Sequence, residues 1–73
     1  MKITIESTTR IVQANGIDCR VWEGTTERGV KITCLIPRIA VREGQDTRQF
    51  EAELQEHRPP SPDTQAFPLR MIL

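Results

Sequence analysis

Seventy-three residues make one domain, and a monomer of that size buries only about 60% of its unfolded-chain surface, so its stability is marginal without a staple or a partner. Ten basic residues offset ten acidic ones, which argues against nucleic-acid binding driven by bulk charge but leaves room for a local cationic patch. No apolar run approaches the ~20 residues of a membrane span, and the N-terminus alternates as a strand instead of forming a signal core, so a soluble cytoplasmic protein is expected.

In chain order, Ile3 and Ile5 point one way along a first strand. Ser7, Thr8 and Thr9 interrupt the apolar alternation, and Ile11-Val12 leaves its phase ambiguous. Either a bulge lies near residues 7–9, or residues 1–6 and 8–14 are separate strands. Asn15-Gly16 predicts a two-residue hairpin turn. It pairs Ala14 with Ile17, Val12 with Cys19, and Thr9 with Trp22.

Residues 17–41 organise the chain: two strands around a polar turn, holding the lone Trp and both cysteines. A four-residue loop over 26–29, with Gly29 left-handed, places Val21 opposite Cys34, Cys19 opposite Ile36 and Glu23 opposite Ile32. In that register Ile17, Cys19, Val21, Ile32, Cys34 and Ile36 share one apolar face. The other face carries Ile11, Arg20, Trp22, Lys31, Thr33 and Leu35. Pro37 predicts a kink that re-aims Ile39 and Val41 to keep them buried, with the strand running on to about Val41.

Asp46 is a suitable N-cap, with Gln49 at the partner position of a capping box, and a helix is expected over 47–57. Its apolar stripe is thin: Phe50 and Leu54. Residues 1–58 then form the core of an α+β domain, an antiparallel sheet of three to five strands with one helix packed on it. Residues 59–73 form a Pro-rich connector and an apolar docking segment of the same domain.

Few residues suggest catalysis. His57 follows Glu53 by one helical turn, an arrangement that most simply steadies a helix end. Cys19 and Cys34 have no base near them in sequence and read as buried thiols; without a CxxC and with one distant His, they make no zinc site. No metal, no cofactor and no enzyme activity is expected. Arg20, Trp22, Lys31, Leu35 and Arg38 read instead as a face for a ligand or partner. An indole beside arginines can stack a ring, hold a phosphate or anchor a protein contact. The bland alternative lays those arginine stems over Leu35 and pairs them with nearby glutamates.

Both sheet faces are partly apolar and one helix is available to cover them, so a homo-oligomer, dimer or higher, is expected. Ile11, Leu69, Met71, Ile72 and Leu73 are the interface candidates. The run VWEGTTERGVKITCLIPRIAV, the DTRQFEAEL helix and the PLRMIL terminus resemble small accessory proteins of tailed bacteriophages and prophages. That resemblance implies a non-enzymatic binding protein that inhibits bacterial immunity, by contacting a host defence protein or sequestering a nucleotide signal. The alternative is a small β-sheet protein that binds nucleic acid.

Overall fold

The computed structural model describes residues 1–62. Three antiparallel strands in the order β1-β2-β3 form one sheet: β1 (Ile3–Ala14), β2 (Ile17–Thr26) and β3 (Lys31–Ile36). Helix α1 (Thr47–Leu54) follows. The sheet-and-helix class read from the sequence is present, at the low end of the expected strand number. The interface candidates Leu69, Met71, Ile72 and Leu73 lie outside the described residues.

Asn15 and Gly16 adopt φ of 53° and 79°, as a two-residue hairpin turn requires, and Val12 pairs with Cys19. The pairing with Trp22 differs from expectation. Ser7, not Thr9, lies opposite Trp22, because β1 is continuous and bulged: between Ser7↔Trp22 and Ile11↔Arg20, residues 8–10 face Val21 alone. Thr8 fills the bulge and is completely buried. Its Oγ1 donates to the Val21 carbonyl at 2.7 Å and accepts from the Arg10 amide at 3.3 Å. The hydroxyl thereby satisfies groups that the interrupted ladder would strand.

The larger correction concerns β3. Thr26 and Val30 close the loop, with the Thr26 amide donating to the Val30 carbonyl at 2.9 Å, so three residues span it, not four. Gly29 does take the left-handed conformation, at φ 87°. Losing one loop residue slips the register by one, and a slip of one turns every β3 side chain to the opposite face. Cys34 now pairs with Trp22, Leu35 with Val21 and Ile36 with Arg20. Lys31 and Leu35 therefore leave the Trp22 face, and Ile32, Cys34 and Ile36 join it. Cys19 and Cys34, both free thiols, sit on opposite faces.

Along β2 the two faces are treated differently. Cys19, Val21 and Glu23 are buried, while Arg20, Trp22 and Gly24 are half-buried. Gly24 tolerates no side chain, since a Cβ there would sit 1.8 Å from the Thr4 carbonyl oxygen of β1. Pro37 ends β3 instead of kinking it. With no N–H to donate and no ladder partner beyond it, the chain leaves the sheet, and Ile39 and Val41 are 42% and 37% exposed.

Candidate binding cleft

Helix α1 begins where Asp46 caps it, the carboxylate accepting from the Arg48 and Gln49 amides at 3.0 and 3.1 Å. It ends at Leu54, three residues short of the expected His57. The reason lies just beyond it, where the backbone is taken by β1. Ser7 Oγ donates to the Glu56 carbonyl at 2.7 Å. The Thr9 amide donates to the Arg58 carbonyl at 3.0 Å, and the Arg58 amide to the Ser7 carbonyl at 3.3 Å. Arg58 thus runs parallel to β1 at Thr8, on the sheet edge away from β2.

Past that edge the chain reaches the buried face. Arg58 Nη1 meets Glu23 Oε1 at 2.8 Å, and Arg58 Nε meets Glu6 Oε2 at 3.1 Å. The Ser61 amide donates to Glu23 Oε1 at 3.0 Å, and Ser61 Oγ to Oε2 at 2.7 Å. A buried carboxylate is tolerable only when so fully bonded. Glu23 therefore clamps the connector to the sheet. Sequence pattern gave no sign of it, because its partners lie 35 and 38 residues away.

On the opposite face α1 stands off from the sheet and encloses a cleft of about 440 Å³. Ser7, Arg20, Trp22 and Ile36 form the sheet wall, and Phe50, Glu53 and Leu54 the helix wall. Pro37, Arg38, Ile39 and His57 complete it. A cavity of this size suits a small organic ligand. Of the residues expected to form a binding face, Arg20, Trp22 and Arg38 converge here. Lys31 and Leu35 do not, for the register reason given above. Ile11, 49% exposed, lies opposite Arg20 on the cleft side of β1. Ser7 was missed because only the bulge brings it under Trp22. Phe50 and Leu54 were legible as a stripe, but their role as a wall was not.

The two cleft arginines differ. Arg20 is fixed, its Nη1 donating to the Thr8 carbonyl at 2.8 Å, so the bulge aims it. Arg38 is exposed and makes no hydrogen bond or ion pair among the described residues. Beyond Trp22 a second, more open hollow carries Glu6, Glu53 and Glu56 with Arg58. Glu53 borders both hollows, so an anion is favoured at the Arg20 and Arg38 end of the cleft and opposed toward Glu6, Glu53 and Glu56.

Ser7 Oγ also lies 3.0 Å from His57 Nδ1. The hydroxyl proton is committed to the Glu56 carbonyl, so the imidazole N–H donates and the serine oxygen accepts. A general base needs the reverse polarity. The pair acts as a latch on the chain beyond α1. No group of three His, Cys, Asp or Glu among the described residues is placed to hold a metal ion. No described helix is long and apolar enough to cross a membrane. Comparison with protein-family models, with curated proteins and with solved structures returns no match.

Proposed function

We propose that this chain acts by binding and not by catalysis, and that its contact site is the cleft between α1 and the Trp22 face. The observation that carries this reading is the convergence of a half-buried indole, a backbone-fixed Arg20 and an Arg38 with no partner among the described residues on one concave site of ligand size. Among the described residues no buried side-chain polar atom lacks a partner, whereas here an indole and two guanidinium groups stand beside one open hollow. An indole offers a ring face and two guanidinium groups offer charge, so an anion bearing a planar ring is the matching ligand class. A nucleoside phosphate has that chemistry.

In the setting that the resemblance to phage accessory proteins implies, such a protein would sequester a nucleotide signal of bacterial immunity in the host cytoplasm. Direct contact with a host defence protein is the other route to the same end, and it would use the same face. The concave shape favours the small ligand, because the flat, Leu35-centred surface that a protein contact would have used is split by the β3 register. Exposed Ile3, Ile11, Ile17 and Val30 support self-association, which sedimentation would measure directly. The nucleic-acid alternative has less behind it, since glutamates border the indole on one side.

The test is titration of Trp22 emission with AMP and with short single-stranded DNA at two salt concentrations. Saturable AMP binding that Arg20→Ala with Trp22→Ala abolishes supports the reading. DNA binding that falls steeply with salt, without AMP binding, would replace it with the nucleic-acid alternative.

A further inference from the structure

The two ends of α1 are held very differently. Beyond its C-terminus, residues 56–58 are fastened to β1 by three backbone carbonyl or amide contacts, and Arg58 adds ion pairs to Glu6 and Glu23. Before its N-terminus, residues 37–46 form no strand or helix and are exposed throughout. Among the described residues their backbone bonds are a local turn, the Gln45 amide donating to the Arg42 carbonyl at 3.2 Å, and the first bond of α1, the Phe50 amide donating to the Asp46 carbonyl at 3.2 Å; Gly44 sits at φ 84°. The helix itself has no buried residue. Its two large apolar side chains, Phe50 and Leu54, line the cleft without closing it, and Leu54 stays 37% exposed.

A helix bolted at one end, loose at the other and overhanging an open apolar cleft is built as a hinged wall. We infer that α1 pivots at Gln55, where it meets the fastened residues 56–58, and that Phe50 closes toward Trp22, so that the cleft is an aromatic clamp for a planar ring. Phe50 is then the specificity-determining residue: Trp22 supplies a fixed lower face, Phe50 a moving upper one. Rings prefer offset or edge-on packing against such partners, and the apolar walls exclude water from both faces of the ligand. Closure also draws Leu54 onto the sheet wall, which gives the motion a driving force when the ring is present. The charged part of the ligand stays at the Arg20 and Arg38 side. This inference deepens the binding reading above and rests on it for the identity of the ligand, but the hinge is measurable in the free protein.

The experiment has two arms. Hydrogen exchange on the free protein reads the hinge. The amides of residues 50–54 are expected to exchange at least about tenfold faster than those of β2, with the Thr9 and Arg58 amides as protected as the sheet. Exchange of α1 as slow as that of β2, or an even gradient through residue 58, overturns the hinge. Fluorescence titration with AMP, and with ribose 5-phosphate as a ring-less control, reads the clamp. Phe50→Ala is expected to weaken AMP binding by about tenfold or more, the range of one lost stacking partner, with Phe50→Trp restoring it and ribose 5-phosphate unaffected. AMP binding that Phe50→Ala leaves unchanged overturns the clamp. Failure of wild-type protein to bind AMP strikes the ligand reading, and the clamp with it, while the exchange arm still decides the hinge.

Discussion

One strand, β2, presents two faces that obey different rules. Cys19, Val21 and Glu23 point to a side where exposure falls to 4%, 1% and 7% and where the buried carboxylate is bonded to Arg58 and Ser61. Arg20 and Trp22 point to a side where a helix stands away and a cleft remains open. Apolar groups left half-wet forfeit free energy that burial would have returned, at roughly 25 cal/mol per Å². The folded chain carries that cost around the cleft and, on the other face, chiefly at Ile17, 55% exposed at the start of β2. The buried face holds the fold together, and the open face is available for contact.

The contrast can be broken from either side, and the largest effects belong to the buried face and the ladder behind it. Gly24→Val should cost the most, about 3 kcal/mol or more, because its side chain would meet β1 backbone that has nowhere to move. Urea unfolding followed by Trp22 emission would measure it, and retention of wild-type stability would mean that the β1–β2 approach is looser than described. Val21→Ala should cost about 2 kcal/mol, the transfer term plus a cavity. Glu23→Ala should cost about 1–2 kcal/mol. The Ser61 amide and hydroxyl lose their acceptor, but Arg58, whose side chain is 40% exposed, can turn to water, which holds the loss below that of a fully buried pair.

These sites also show how far the sequence could be read. Asn15-Gly16 specified the first hairpin, because few residue pairs accept positive φ at both positions. Gly29 marked the second turn equally well, yet a glycine fixes a conformation and not the length of a loop. Three-residue and four-residue closures both place it left-handed, and the difference of one residue sent Lys31 and Leu35 to the buried side and Ile36 to the cleft. The helix start was legible in Asp46, a local signal. Its end was not, since Ser7 and Thr9 of β1 claim the backbone there from some fifty residues away. Arg20, Trp22 and Arg38 were grouped by their chemistry with Lys31 and Leu35, which the register places on the other face. The cleft that unites them came from a bulge that pattern alone left undecided.

On the open face the expected effects on stability are smaller. Asp46→Ala removes the cap of α1 and should cost about 1 kcal/mol of helix stability, read as faster amide exchange confined to residues 47–54 with the sheet unchanged. If the sheet loosened too, α1 would be part of the fold's support and not a wall of the site. Arg38→Ala should leave the melting temperature within about 1 °C of wild type while weakening anion binding severalfold, since the side chain has no partner to lose among the described residues. A fall in stability with unchanged binding would reverse the assignment of that residue.

The central claim is that the Trp22 side of the sheet receives the ligand and the Val21 side does not. Backbone amide shifts followed by NMR during an AMP titration test it directly. Shifts clustered at Ser7, Arg20, Trp22, Ile36 and Phe50, with Lys31, Thr33 and Leu35 unmoved, are predicted. Shifts centred on Lys31 and Leu35, or none at saturating AMP, would contradict it.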